Sequence, residues 1–142
     1  MNLFFEYQKK IFKVLKKLES KKLLLIPPKL QAITVELPPK IHKAHISCNA
    51  AMILAGINKT SPIDLAEKIK KYLLINFKEF NGIDIAKPGF LNISFTDNFW
   101  KNYLNKIVIL NKKYGSNYKN KKKYNIEFVS ANPTGPLHVG HC

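Results

Sequence analysis

A lysine- and asparagine-rich run at residues 111–123 (NKKYGSNYKNKKK) divides the sequence into two unequal parts. The run contains six lysines, three asparagines and no acidic residue. Such a stretch, without apolar periodicity, is typical of an exposed loop between folding units. The sequence therefore predicts one compact unit at residues 1–110, a basic linker at 111–123, and the beginning of a second unit at 124–142.

The composition favours a folded and strongly basic protein. Hydrophobic residues make up 46% of the 142 residues, which is enough for a core. All 24 basic residues are lysine, against 9 acidic residues, so the formal net charge is +15. This excess favours a polyanionic partner, nucleic acid before an anionic membrane surface; the alternative is a set of scattered, solvated lysines.

The sequence argues against a membrane-spanning protein and against a secreted, disulfide-rich protein. No apolar run approaches the length of a membrane span, and the N-terminal segment places Glu6 and Lys9 among its apolar residues, unlike a signal peptide. The two cysteines, Cys48 and Cys142, do not form a dense disulfide framework and are expected to be free thiols. We therefore expect a cytoplasmic protein with no membrane partner.

Four segments carry helical signals. Residues 3–18 have apolar side chains at spacings of three and four, and residues 46–57 (ISCNAAMILAGI) are predicted to form a mostly buried helix. Ser61 and Pro62 predict a capped helix that runs to about Ile75. A fourth helix is expected to begin at Thr96 or Asp97.

Three of these helices carry defined sets of apolar side chains. The first face is Phe4, Tyr7, Ile11, Leu15 and Leu18. The face of the capped helix is Ile63, Ala66, Ile69 and Leu73. The last helix carries Phe99, Trp100, Tyr103, Leu104, Ile107 and Val108.

Three short segments alternate in the manner of strands. Residues 33–37 place Ile33, Val35 and Leu37 on one side, and Pro38 ends the pattern. The alternating segments 83–85 and 91–95 flank the turn residues 87–89 (KPG), which predicts a hairpin. The first 110 residues are therefore predicted to be an α+β unit with the order α-β-α-α-β-β-α.

The last 19 residues (YNIEFVSANPTGPLHVGHC) contain the pattern that indicates a catalytic or ligand-binding function. Alternation at residues 124–128 predicts a strand, residues 130–136 predict a sharp loop, and residues 137–141 can open a helix. A strand, a tight loop and a helix N-terminus together form an arrangement that favours phosphate binding.

This segment resembles the class I aminoacyl-tRNA synthetases. His138-Val139-Gly140-His141 matches their HIGH signature, and the string from Glu127 to His141 is similar to the arginyl branch. The matching signature residues are Ala131, Asn132, Pro133, Thr134, Gly135, Pro136, Leu137, His138, Val139, Gly140 and His141. The resemblance implies that a Rossmann catalytic domain begins at residue 124 and is cut off at Cys142.

The resemblance also implies roles for single residues. His138 and His141 would be catalytic donors to the α-phosphate of ATP, which Pro136 and Gly140 would help to bind. The arginine substrate would be bound by Glu127, Ser130 and Asn132. Metal ligation by the two histidines with Cys142, or ordinary surface histidines, are the alternatives from the residues alone.

The first 110 residues resemble the additional N-terminal domain of arginyl enzymes, which binds the D-loop corner of tRNA. The similar segments are 49–55 (NAAMILA), the helix that follows Ser61, and 88–93 (PGFLNI). Phe90 and Asn92 occupy positions that contact a D-loop base in this family, although Phe90 could equally be a core residue.

One pair departs from the family pattern. Many members have Gly-Asp before the NAAM helix, where this sequence has Ala44-His45, so a weaker helix start is expected. His42 and His45 have no further ligand cluster nearby in the sequence and are expected to be exposed.

The sequence thus predicts a part of an enzyme that attaches arginine to its tRNA. The expected partners are the tRNA for arginine, L-arginine and ATP, with Mg²⁺ accompanying ATP and no metal site in the chain itself. A monomer is expected, and the 142-residue chain alone is expected to be inactive. A stand-alone basic tRNA- or RNA-binding module and a nonfunctional remnant are the alternatives.

Overall fold

The fold is built on a four-stranded antiparallel sheet, seen in a computed structural model that describes residues 2–27, 32–115 and Asn125. The elements in chain order are α1 (Leu3–Ser20), β1 (Val35–Glu36), β2 (Ile46–Cys48), α2 (Ala50–Ala55), α3 (Pro62–Asn76), β3 (Phe80–Ala86), β4 (Phe90–Phe95) and α4 (Asp97–Leu110). A short 3₁₀ turn, Asn111–Lys113, follows α4. The strand order across the sheet is β1-β2-β4-β3.

The predicted hairpin is confirmed and forms half of the sheet. β3 and β4 pair antiparallel with Ile83 opposite Ile93 and Ala86 opposite Phe90. Gly89 in the turn has φ +155°, and a Cβ built there would lie 2.8 Å from the Cβ of Pro62. The turn is therefore held against the start of α3 at a position that only glycine fits well.

The prediction of a helix throughout residues 46–57 is wrong. Ile46–Cys48 is β2, which pairs with β4 through Ile46 opposite Ile93, and only Ala50–Ala55 is helical. Ile46 and Cys48 are buried on one side while Ser47 faces the other, a period-2 pattern too short to distinguish from a buried helix in sequence. The observed order is therefore α-β-β-α-α-β-β-α.

The helix caps follow the sequence, but two predicted core positions are wrong. The Ser61 side chain accepts from the Asp64 N–H, and the Thr96 side chain accepts from the Phe99 N–H. Ile63 is 40% exposed, and Leu65 is the buried residue in the first turn of α3. Leu37 is 73% exposed because β1 ends at Glu36.

One hydrophobic core lies between one face of the sheet and helices α1, α2 and α3. Its α1 side consists of Tyr7, Ile11, Val14, Leu15 and Leu18. The strands contribute residues that the register aligns on one face, such as Ile46, Ile93 and Ile83. Because successive strand residues alternate, the row Glu36, Ser47, Asn92 and Asp84 lies on the opposite face, which we call the outer face.

Candidate nucleic-acid interface

A cleft of about 360 Å³ opens on the outer face of the sheet. It is lined by Thr34, Glu36, Leu37, Pro39, His42, Ser47, Asn49, Ala86, Lys87, Phe90 and Asn92. The strands supply its floor, and the loop after β1 supplies one wall. The cleft therefore brings together the two residues, Phe90 and Asn92, for which sequence resemblance suggested contact with a tRNA base.

Phe90 and Asn92 lie two residues apart on β4, so both point to the outer face. Phe90 is half-buried and is not among the residues of the hydrophobic core. The ring therefore contributes apolar surface to the cleft.

Asn92 is the buried polar residue at the floor of the cleft. Its side chain is 2% exposed, and its Oδ1 atom is buried without a hydrogen-bond partner. Most buried polar atoms are paired, and an unpaired one costs about 1–3 kcal/mol. An acceptor left in this state is suited to a ligand that brings its own N–H or O–H donor.

Asn49 lines the same cleft but is occupied by structural hydrogen bonds. Its Oδ1 accepts from the Thr34 N–H at 2.8 Å, and its Nδ2 donates to the Ala32 carbonyl at 3.0 Å. Asn49 precedes α2 without capping it through its side chain. It therefore positions the segment before β1, whereas the Oδ1 of Asn92 has no hydrogen-bond partner.

Both His42 and His45, in the loop after β1, were expected to be exposed, and only His45 is. His45 is exposed, and its Nδ1 accepts from the Phe95 N–H at 2.9 Å, so this nitrogen is already used by the sheet. His42 is half-buried in the cleft wall instead of being exposed. Within residues 2–27 and 32–115, no group of three potential metal ligands comes together.

The Ala44-His45 pair does not lie at the start of the NAAM helix in the structure. These two residues precede β2, and the His45 N–H donates to the Ile93 carbonyl at 2.9 Å. Asn49, and not His45, is the residue before α2. α2 begins without a side-chain cap, which agrees with a weaker helix start, but the residue at the cap position is Asn49 and not a member of the Ala44-His45 pair.

Three exposed lysines belong to the hairpin turn or to the loop after β1, the two segments beside the cleft: Lys40, Lys43 and Lys87. Lys87 lines the cleft, and the Ser94 hydroxyl donates to the Lys43 carbonyl at 3.3 Å, which places Lys43 beside the far end of β4. The acids on this face, Glu36 and Asp84, are exposed. We call the three lysines the rim lysines.

A second cavity of similar volume, about 360 Å³, lies beside Tyr7. Some of the polar side chains that line it are paired with one another. The Tyr7 hydroxyl donates to Glu79 at 3.0 Å, and Lys10 lies 2.8 Å from Glu6 and 3.9 Å from Glu79. Burial, then the bond to Glu79, raises the pKa of Tyr7 well above its usual range. The Tyr7–Glu79 and Lys10–Glu79 contacts connect α1 to the residue before β3.

The predicted catalytic segment lies outside the described residues, except for Asn125, which is exposed. This applies to the predicted strand, to the signature, and to the candidate ATP and arginine residues from Glu127 to His141. Cys142 also lies outside them, whereas Cys48 is a buried free thiol as expected.

A family model described as "Arginyl tRNA synthetase N terminal domain" matches residues 6–95, which is more than half of the sequence. The chain therefore belongs to the family of arginyl-tRNA synthetase N-terminal domains. This match contains the cleft, with Phe90 and Asn92.

Curated relatives agree with this assignment. An arginine–tRNA ligase of Pelagibacter ubique is 46% identical over the whole chain, and one of Bartonella quintana is 43% identical. The chain spans about a quarter of the length of these relatives, 25% and 24% respectively.

The fold is also similar to a solved structure. Thermus thermophilus arginyl-tRNA synthetase matches 99% of this chain and 21% of its own length, with 18% identity and a TM-score of 0.52. This similarity supports the α+β architecture. Within the described part of the chain, no helix is long and apolar enough to cross a membrane.

Sequence reasoning missed several residues that line the cleft, including Thr34, Ser47 and Asn49. Ser47 and Asn49 were placed in a helix, which hid the strand that carries Ser47. The polar alternation at Asp84, Asn92 and Ser94 was the available signal for a second, polar face of the sheet.

Proposed function

We propose that the chain is the tRNA-binding N-terminal part of an arginine–tRNA ligase and that the cleft receives an unpaired base of the tRNA for arginine. The observation that carries this proposal is the pairing of a half-buried aromatic, Phe90, with the unpartnered buried acceptor of Asn92 on one face of one strand. Membership of the family and the net charge of +15 support it.

In this proposal Phe90 stacks on the base and Asn92 forms hydrogen bonds with its edge. Stacking of a base on an aromatic ring contributes about 1–3 kcal/mol and tolerates any base. The edge of the base is read by the amide of Asn92, whose Oδ1 gains a donor when the base enters. The rim lysines contribute favourable contacts with the phosphates on either side of that base.

The decisive experiment compares binding and stability in Asn92→Leu. Leucine has the same number of side-chain heavy atoms as asparagine with the same branching at Cγ, and it removes the unpartnered buried acceptor, so the thermal stability should be unchanged or higher. Affinity for the tRNA should fall by about tenfold, corresponding to about 1.4 kcal/mol. Fluorescence anisotropy with labelled tRNA and differential scanning calorimetry measure the two quantities.

Phe90→Leu should also weaken binding, with Phe12→Leu as its control. Phe12 is a half-buried aromatic on α1, which packs on the core side of the sheet, so its substitution should leave tRNA affinity unchanged. Unchanged affinity in both Asn92→Leu and Phe90→Leu would reject the cleft as the base-binding site.

We propose further that residues 124–142 begin a Rossmann catalytic domain, after a linker at 111–123 that follows the unit at 1–110. In the whole enzyme, His138 and His141 donate to the α-phosphate of ATP during formation of the arginyl-adenylate, and Glu127, Ser130 and Asn132 hold L-arginine. ATP is a substrate here, with Mg²⁺ accompanying it. The family resemblance of this string supports these roles.

The 142-residue chain should therefore bind tRNA without charging it, because the greater part of the enzyme is required to enclose ATP. Aminoacylation assays with labelled arginine should give no turnover above background for this chain, while a full-length relative serves as the positive control. Measurable charging by the purified chain would contradict this proposal. We place the protein in the cytoplasm as a monomer, which fractionation and sedimentation can test.

A further inference from the structure

The cleft on the outer face is bordered by different elements at its two ends. The loop after β1 reaches the outer face near Ser94, because the Ser94 hydroxyl donates to the Lys43 carbonyl at 3.3 Å. Phe90 lies four residues before Ser94 on β4, about 14 Å away along an extended strand. Asn92, at the floor, lies between them. Phe90 therefore borders one end of the floor, and the loop borders the other end.

Three residues of this loop line the cleft: Leu37, Pro39 and His42. The His42 N–H donates to the Pro39 carbonyl at 2.9 Å, so residues 39–42 form a tight turn that fixes the backbone at His42. His42 is half-buried, whereas its neighbour Ile41 is 82% exposed and is not among the lining residues. The turn thus places the imidazole at the cleft and the Ile41 side chain in solvent.

The imidazole of His42 makes no hydrogen bond and no ring contact with any described residue. His45 in the same loop is different, since its Nδ1 accepts from the Phe95 N–H and its ring lies 5.0 Å from that of Trp100. The ring of Phe90 also contacts no other ring in the described part of the chain. The cleft therefore contains two planar rings that are not packed against other rings of the protein.

We propose that His42 is a second stacking surface, so that the bound base is held between its imidazole and the ring of Phe90. The inference rests on the proposed function and adds to it a residue that selects what enters the cleft. Histidine is among the side chains on which unpaired bases stack. A base is flat on both faces, so a cleft with a ring at each end accepts a base and disfavours a non-planar group such as ribose.

His42 is better suited to this role than the other two loop residues in the cleft. Leu37 is 73% exposed and Pro39 is also exposed, whereas His42 is half-buried. Partial burial restricts the side chain before the base arrives, which lowers the entropic cost of ordering it on binding. Neither leucine nor proline presents a planar π surface to a base.

Three substitutions at this position test the proposal in the 142-residue chain, with affinity for labelled tRNA measured by fluorescence anisotropy. His42→Ala should weaken binding by about fivefold or more, the smaller effect expected for loss of one stacking partner. His42→Phe should stay within about twofold of the wild type, because any aromatic face can stack on a base. His42→Gln, which keeps a polar group but no ring, should weaken binding as much as alanine does.

Ile41→Ala is the matched control, because it shortens an exposed side chain of the same turn outside the cleft, and it should leave affinity unchanged. Unchanged affinity in His42→Ala, with weaker binding in Phe90→Leu, would overturn this inference and leave the proposed function intact. Full affinity in His42→Gln together with weak binding in His42→Phe would overturn stacking in favour of a hydrogen bond. If Asn92→Leu and Phe90→Leu are also without effect, the proposed function fails and this inference fails with it.

Proton NMR of the imidazole gives a second measurement that does not depend on substitution. When tRNA is added, the ring current of a stacked base should shift the carbon-bound ring protons of His42 upfield. The corresponding protons of His45, whose ring packs on Phe95 and Trp100 outside the cleft, should keep their positions. Unmoved His42 signals at saturating tRNA would reject His42 as a stacking surface, whatever the effect of its substitution on affinity.

Discussion

At the scale of single residues, two asparagines on the wall and floor of one cleft have opposite roles. Both polar atoms of the Asn49 amide are paired with backbone groups, so this residue stabilises the fold. Asn92 is more deeply buried, yet its Oδ1 has no partner. A buried acceptor that lowers the stability of the free protein is consistent with selection for binding, which is why Asn92→Leu separates the two effects.

Cys48 is a second residue whose burial has a measurable consequence. Burial raises the pKa of the Cys48 thiol to about 12, while an unfolded thiol titrates at about 8.5. Between these values the unfolded state loses a proton that the folded state keeps. The free energy of unfolding should therefore fall as the pH rises above 8.5, by at most about 1.4 kcal/mol per pH unit from this group.

Urea unfolding at pH 8 and pH 10 checks this prediction. Over that interval the wild-type chain should lose about 2 kcal/mol more than Cys48→Ala, which has no thiol to titrate. Tyr7 is present in both chains, so its contribution cancels in the difference. Equal losses in the two chains would show that the Cys48 thiol does not keep its proton in the folded state.

At the scale of elements, the β3–β4 hairpin positions the cleft residues and is itself positioned by α3. The hairpin turn packs on the first residue of α3 at Gly89, and the Ser61 cap fixes where that helix begins. A shift of this turn would move Phe90, the first residue of β4, and with it one wall of the cleft. The helix start and the hairpin turn are thus one structural unit.

Gly89→Ala should therefore lower the free energy of unfolding by roughly 2 kcal/mol or more. The added Cβ would lie 2.8 Å from the Pro62 Cβ and 3.0 Å from its carbonyl oxygen, at a φ of +155° that residues other than glycine rarely adopt. Chemical denaturation followed by circular dichroism measures the change.

Gly82→Ala in β3 is the matched control. A Cβ at Gly82 meets nothing within 4 Å, so its effect should be small, within about 0.5 kcal/mol. If the two substitutions cost the same, the close approach of the turn to α3 would not be the reason for glycine at position 89.

At the scale of the whole molecule, the sheet separates a helical side from a polar side. The core and α1 lie on one side, and the cleft with the rim lysines lies on the other. Lysines occur on both sides, so a net charge of +15 does not by itself indicate where a polyanion binds. Under the proposed function, the RNA binds the outer face because the cleft lies there.

Removing the three rim lysines should weaken tRNA binding more than removing three lysines from the α1 side. The variant Lys40→Ala, Lys43→Ala, Lys87→Ala should lower the slope of log affinity against log salt by about one for each lost phosphate contact. The control variant Lys13→Ala, Lys17→Ala, Lys21→Ala has the same change in charge on exposed residues of α1 and its C-terminus. Equal changes in slope would indicate binding by overall charge without a defined face.

The sequence by itself determined the elements whose signals are local. The amphipathic α1, the Ser61 cap of α3, the Thr96 cap of α4 and the hairpin turn at residues 87–89 were all predicted correctly. Each depends on side-chain spacing or on a cap or turn within a few residues, and these interactions are visible in a single sequence. The resemblance also identified Phe90 and Asn92, which lie together in the cleft.

Tertiary structure decided what depends on distant partners. β2 exists because Ile46–Cys48 pairs with β4, more than forty residues later in the chain, and three residues of alternation cannot specify that pairing alone. The same pairing places Ser47 beside Asn92 and so completes the floor of the cleft. Burial of Asn92 and exposure of Leu37 likewise follow from which surfaces meet, because burial is a property of the packed molecule and not of a residue type.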